Sequence, residues 1–359
     1  MPVTRTSFPG AAVPGSEAWF GVKSFKARLE ESVNMRSSNT VTRSLTNVTT
    51  YWTVAAVFGL VCCALSVQAA EPDTGGLDVV RVRPNFYMLA GAGGNIAVQI
   101  GSDGVVLVHS GSGASTNEVL AAIKKLTDLP VRYIINADAG PDFVGGNEKL
   151  RKSGLNVLNG ATGAAILAHE SVLRKMSARN ANPAYPGDAW PTEAFLATRY
   201  AFRMNDDAIE VFYQPAAHSD ADSLVLFRQS DVVVAGDIMD TTRFPVIDVA
   251  NGGSIQGEID ALNRLIELTV VPIPFIYKDV GTYVIPGHGR LCLQLDVVDY
   301  RDMVVVVRDV IADLIKQGKT LDQIKAAHPA TPYETEYGTQ EGSTSAFVEA
   351  VYRSLTAKK

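Results

Sequence analysis

The order of apolar runs and turn signals predicts a layered α/β (α+β) domain built on two mixed β-sheets. Three observations carry that expectation. Short β-rich runs follow one another from Leu77, amphipathic helices come next, and the same strands-then-helices order returns after about Tyr200 with no sequence repeat and no linker. With 47% hydrophobic and 19% charged residues, the 359-residue chain can bury a large core, which excludes a disordered polymer. A net charge of -6 argues against a nucleic-acid partner and against a polybasic membrane-surface protein. Three cysteines are too few for a disulfide scaffold or a cysteine-based zinc module.

The N-terminal part reads as a leader. Trp52 to Leu65 carries no charge, Arg36 and Arg43 precede it, and the small residue Ala69 offers a cleavage point. A basic start, a short apolar stretch and a small-residue exit are the marks of a secretory signal peptide. The apolar stretch is shorter than the roughly 20 residues of a membrane span, which favours the signal peptide; an uncleaved anchor is the alternative. Residues 35–69 are accordingly expected to be a signal peptide, with Met35 as a more natural start than Met1. Residues 1–34 are expected to be a disordered or mis-assigned extension, and 70–359 the working domain, periplasmic or secreted and free of the membrane after cleavage. Of the cysteines, only Cys292 would remain, expected to be buried and unpaired.

Each element has its own signal. Leu77–Val82, Phe86–Leu89, Ile96–Ile100 and Val105–His109 are β-rich runs separated by Pro84-Asn85, by Gly91 to Gly94 and by Ser102-Asp103-Gly104. The glycine run lies between two strands without a following helix, so it reads as a hairpin turn rather than a nucleotide loop. Ser115-Thr116-Asn117-Glu118 has the form of a capping box, with Val119, Leu120, Ile123 and Leu126 as an apolar face behind it. A strand is expected at Val131–Ile135, a short helix up to Lys152, a helix at Ala164–Met176 and a long loop over residues 178–196. Strands resume at Tyr200–Met204, Ile209–Tyr213, Ser223–Phe227 and Val232–Ala235. A helix is expected at Ile255–Leu268 and a strand at Tyr283–Ile285. Tyr300, Met303, Val304, Val307, Val310, Ile311 and Leu314 mark a long amphipathic helix stopped by Gly318, and Thr320 and Ser345–Leu355 mark two more.

The histidines and aspartates carry the chemistry. His109, His218 and His288 each follow an apolar strand in a loop rich in Gly, Ser or Asp, and Asp142, Asp220, Asp222 and Asp237 share that kind of loop. Loops at strand ends converge on one edge of a sheet, and His with Asp is the ligand set of a borderline divalent metal. Blander roles compete at each position. Asp142 can cap the helix that begins near Phe143, Asp222 and Ser223 can fix a turn, and His109 can pair as an imidazolium with Asp142 or Asp237. His169 and His328 read as helix-surface residues, and Trp190 either lines the cleft or plugs the edge of the sandwich. No nucleophile elbow, Walker loop or dinucleotide fingerprint is present.

Several of these segments occur in a telling order. Asn95-Ile96, Asp103 to Val108, Tyr133 to Asn136, Val144 to Asn147, His218 to Ser223, Ala235-Gly236-Asp237 and Pro286 to Gly289 together resemble the successive motifs of the metallo-β-lactamase superfamily. The resemblance spans roughly residues 78–305 and implies an αββα four-layer sandwich with a metal site at one edge of two mixed sheets. The family's HxHxDH motif falls here on Asp138, Ala139, Gly140, Pro141, Asp142 and Phe143, so only its aspartate survives. His218, Asp237 and His288 match the downstream ligands, and His109 stands where the family usually has an aspartate.

The resemblance therefore implies one zinc ion at most, held by Asp142, Asp237 and His288 with His218, and with Asp138 and His109 as weaker candidates. In that reading an exported hydrolase-like protein cleaves an ester, thioester or lactam with one zinc and a water nucleophile. Asp142 orients the water or takes its proton, and His218 steadies the oxyanion. The alternative is a metal-free, inactive member of the fold that binds a small molecule or a protein.

Overall fold

The computed structural model describes residues 76–156, 163–272 and 281–357. The chain divides into two units, Met1–Ala70 and Glu71–Lys359. The first unit, with the expected extension and signal peptide, lies outside the described residues. Among the described residues no helix is long and apolar enough to cross a membrane.

The second unit contains two sheets. The larger takes strands β1 (Asp78–Arg83), β2 (Phe86–Ala90), β3 (Ile96–Gly101), β4 (Gly104–Val108), β5 (Val131–Asn136), β6 (Ala165–His169) and β7 (Glu193–Phe195) in chain order. It is antiparallel up to β4 and parallel from β4 to β7. The smaller has the order β12-β11-β10-β9-β8, from β8 (Arg199–Met204), β9 (Asp207–Gln214), β10 (Asp222–Phe227), β11 (Val232–Asp240) and β12 (Tyr283–His288). Only its β11–β12 pair is parallel. Both sheets are mixed, as the sequence predicts.

Alternation along the strands makes the layers. Val106 and Val108 face the second sheet, whereas Val105 and Leu107 face the helices. Val225, Phe227, Val232 and Val234 answer them from β10 and β11, and Phe86 meets Phe227 edge-on with centroids 4.8 Å apart. Side chains at i and i+2 share one face of a strand, so this one pattern fills three layers at once. The outer face of the larger sheet is covered by α1 (Thr116–Leu126), through Val119, Ala122 and Ile123, and by α3 (Asn147–Ser153), through Leu150. The outer face of the smaller is covered by α5 (Ile255–Leu268), α6 (Gln294–Lys316) and α9 (Ser343–Thr356). The result is an αββα sandwich.

The parallel registers decide where chemistry can occur. Val108 pairs with Ile135, Asn136 with Ala168 and Asp240 with His288. The C-terminal ends of β4, β5, β6, β11 and β12 thus open on one rim, with the loop after β9 beside them. Asn95 joins the sheets there. Its backbone N–H donates to Gly287 O at 2.8 Å and its amide donates to Pro286 O at 3.0 Å. Ser223 N–H donates to Ala137 O across the same rim at 2.8 Å.

Four expectations are corrected. The run at Ala165–His169 is a strand, and only α4 (Glu170–Met176) is helical; all five strand residues are buried, so no alternation betrays them. His169 is therefore not on a helix surface. It ends β6, is 6% exposed, caps α4 through Nδ1 and stacks on Tyr213 at 3.7 Å. Ser115 makes no capping bond; its hydroxyl pairs with that of Ser112, and Thr116 bonds back to Gly113 O. The segment 178–196 contains a short 3-10 turn, Gly187–Ala189, and strand β7. Trp190 plugs the edge, packing with Tyr185 beside a buried cluster around Phe143. Cys292 is buried and free, as expected.

Candidate metal centre

Asp138 lies two residues beyond β5, in a loop made rigid by a reciprocal amide pair. Asn136 and Asn147 donate to each other at 3.2 and 2.8 Å, and Asn147 also donates to Ala189 O at 2.9 Å. Gly140 N–H donates to the Asp138 carboxylate. Pro141 then opens the short helix α2 (Pro141–Val144), where its missing N–H costs nothing. Asp142 is inside that first turn, not at its cap, which is Gly140.

Asp237 is the hub of the site. It follows Gly236, which adopts φ 55 at a break in the β11–β12 register. One carboxylate oxygen of Asp237 faces His218 Nε2 at 3.8 Å and the other faces His288 Nδ1 at 3.5 Å. Burial works to raise its pKa, but His288 and the His218 charge outweigh it and hold Asp237 below the usual carboxylate range. His288 Nδ1 also faces Asp240 at 3.6 Å, and its Nε2 faces Asp142 at 3.6 Å. Burial alone would lower His288; Asp237 and Asp240 reverse that and hold it above the ordinary imidazole range.

The trio Asp142, Asp237 and His288 does not close on one point. Asp142 and Asp237 lie against opposite nitrogens of the His288 ring, and the lone pairs of an imidazole point apart. The group that does converge is Asp138, His218 and Asp237, whose ligand atoms lie within 4.8 Å of one another. That span is somewhat wider than the ~3.4 Å ligand–ligand separation implied by zinc bonds of about 2.1 Å. His218 shows why a cation fits. Its Nδ1 lies 2.6 Å from Val246 O, which fixes the proton there and leaves the Nε2 lone pair aimed at a carboxylate. A lone pair facing a negative oxygen requires a proton or a metal ion between them.

Phe143 occupies the place of a further ligand. Its ring is buried, lies over Gly94 so closely that a Cβ there would come within 2.2 Å, and sits between His109 and His288 at 4.3 and 5.5 Å. His109 is fully buried in a left-handed conformation, φ 70, with neither ring nitrogen hydrogen-bonded among the described residues. Burial lowers its pKa to about 3, and the Asp237 charge only partly opposes this. His109 is therefore a neutral imidazole, and the imidazolium pairing expected for it is corrected.

Two buried acids complete the rim. Asp222 Oδ2 accepts Ser219 N–H at 2.6 Å, the turn-fixing role expected of it. Burial, reinforced by the neighbouring Asp138, pushes its pKa well up and favours its protonated form. Glu258 on α5 is 0% exposed, has neither oxygen hydrogen-bonded among the described residues, and is also raised by burial and then by Asp237. Sequence reasoning missed Glu258, because it occupies a polar-looking position on an amphipathic helix. His328 is exposed, two residues after α7 (Leu321–Ala326).

No family model matches the sequence, and neither does any curated protein. Solved structures do match. A double mutant of the sec-alkyl sulfatase PisA1 aligns at 15% identity and TM-score 0.59, covering 77% of this chain and 50% of that one. The stereoselective inverting sec-alkylsulfatase Pisa1 from Pseudomonas sp. aligns at 14% identity and TM-score 0.53, with the same coverage. A metallo-β-lactamase from Pontibacter korlensis aligns at 18% identity and TM-score 0.50, covering 64% of this chain and 98% of that one. The chain spans about half the length of the alkylsulfatase structures. These likenesses show the metallo-β-lactamase fold that the sequence motifs imply.

Proposed function

We propose that the protein is a metallo-β-lactamase-fold hydrolase that works with a single zinc ion held by Asp138, His218 and Asp237. The observation that carries this reading is the convergence of Asp138, His218 and Asp237, with His218 Nδ1 held by Val246 O and its Nε2 turned toward Asp237. When bound, a zinc ion supplies a Lewis acid that polarises the scissile bond and makes water more acidic. The chain's own groups supply the rest. Asp222, whose pKa is raised by burial and by Asp138, lies beside that ligand and favours a protonated neighbour over a second negative charge. His288 holds the second oxygen of Asp237, and so acts as a positioning residue rather than a ligand. The Asp142 carboxylate is half-exposed at 51%, faces His288 Nε2 at 3.6 Å and takes a proton from the attacking water. His218 is committed at both nitrogens, so the oxyanion must be steadied by another group.

Esters, thioesters and lactams remain the proposed substrates, and sulfate esters join them through the likeness to alkylsulfatases. We further propose that the working protein is exported. Zinc-supplied protein is expected to turn over at least one chromogenic member of that set, with activity lost on chelation and restored by zinc. A second reading is favoured by Phe143, whose ring fills a ligand position: a fold kept as a small-molecule or protein binding module. Absence of turnover together with absence of metal supports that reading instead.

A further inference from the structure

A cavity of about 480 Å3 runs beside the candidate metal centre and is lined by Asp138, Gly140, His218, Lys175 and Tyr185, among others. A space of this size suits one small molecule. Most of its charged wall is already engaged. Lys175 Nζ lies 2.8 Å from Asp220, which also holds Arg174 at 3.1 Å. Asp138 and His218 belong to the centre itself.

The Tyr185 hydroxyl is different. Its oxygen is buried and has no hydrogen-bond partner among the described residues. Its position is nevertheless fixed. The ring packs against the cluster that contains Phe143, Met176 and Ala189, and Trp190 Nε1 donates to the Tyr185 carbonyl at 3.1 Å. Burial, reinforced by the Asp138 and Asp142 charges, pushes the phenol to about 12, so the group keeps its proton. A buried hydroxyl without a partner is destabilising. The molecule thus holds an idle, buried donor on a residue that lines the cavity, within the field of two carboxylates to which it does not bond.

We propose that Tyr185 is a ligand-positioning residue whose hydroxyl donates to the carbonyl oxygen, or to the tetrahedral oxygen that replaces it, of an acyl ligand in this cavity. The inference rests on the hydrolase reading of the site and supplies the oxyanion donor that His218 cannot be. It selects ligands with an acceptor oxygen at the reacting carbon, which esters, thioesters and lactams share.

Tyr185→Phe removes only the hydroxyl. The probe is phenylphosphonate, a stable tetrahedral oxyanion, titrated calorimetrically into protein supplied with zinc, with zinc content measured on the same samples. Kd is expected to rise about tenfold in the variant, the loss of one hydrogen bond to a charged oxygen. Zinc content should not change, and the melting temperature should stay level or rise, because an orphaned polar atom has gone. Equal affinity in the two proteins overturns the proposal, as does a wild-type protein that holds zinc and does not bind the probe. Absence of zinc from the wild type overturns the hydrolase reading instead. The same titration on that zinc-free protein then decides for Tyr185: a tenfold difference supports the donor, and equal or absent binding overturns it.

Discussion

Asp207 starts β9 at one end of the sandwich, while Asp222, Asp237 and Glu258 gather at the other, and the two groups of buried acids are treated differently. Asp207 accepts four hydrogen bonds, from Gln99 Nε2 at 3.0 Å, Gln229 N at 2.6 Å, Ser230 N at 3.0 Å and the Ser230 hydroxyl at 2.7 Å. At the opposite rim, one Asp222 oxygen, both Glu258 oxygens, both His109 nitrogens and the Tyr185 hydroxyl have no such partner among the described residues. The first end is closed polar architecture. The second carries unspent hydrogen-bonding capacity, which is where a folded chain can still bind something.

That contrast orders the expected effects of mutation. Asp207→Ala should be the most damaging to stability, because four buried donors lose one acceptor. A loss of about 3 kcal/mol or more is expected in chemical denaturation, with zinc binding per folded molecule unchanged. A mild effect would show that the four bonds are ornamental and blur the comparison. Asp237→Ala should do the reverse. Zinc affinity falls by about 100-fold or more, since a ligand and the partner of both His218 and His288 disappear together, while the melt moves little.

The pH dependence of stability sharpens the same point. His109 is held neutral, with its folded pKa of about 3 below the ordinary imidazole value of 6.5. Its contribution is therefore fully present above pH 6.5 and is lost as pH falls from there toward 3, because the unfolded chain takes up a proton that the folded one refuses. His109→Gln should flatten that acid limb, and an unaltered limb would mean that His109 is solvated in solution. Glu258 behaves oppositely. Its folded pKa is raised well above 4.5, so its contribution is present below that pH and is lost as pH rises. Glu258→Gln should remove this loss and stabilise the protein near neutrality by about 1–2 kcal/mol. Destabilisation by that change would reveal a partner for the Glu258 acid. The smallest expected effect is that of Phe143→His, which puts an imidazole between His109 and His288 and should admit some additional zinc. No change would mean that the neighbouring carboxylates are spent on His288.

Much of the fold was legible because its strands alternate or are bounded by turn residues. The expected helix Ile255–Leu268 matches α5, and most strands shift by only a residue or two at their ends. Ala165–His169 was not legible, since a strand buried on both faces has no period to read and runs straight into α4. At the site, the order of motifs named Asp138, Asp142, His218, Asp237 and His288, and the rim brings those residues together. Which atoms face which was not legible. The engagement of His288 on both nitrogens and of His218 with Val246 depends on loop geometry that no spacing encodes. Glu258 and Tyr185 were invisible for another reason: their distinction is a missing partner, and only packing reveals that.

The most direct test of the account is the zinc content of purified protein dialysed against limiting zinc, compared with Asp237→Ala, His218→Ala and His288→Ala. About one zinc per chain is predicted for the wild type, lost in the first two variants and retained with weakened affinity in the third. A wild type that binds no zinc, or zinc that stays bound when Asp237 and His218 are both removed, would contradict it.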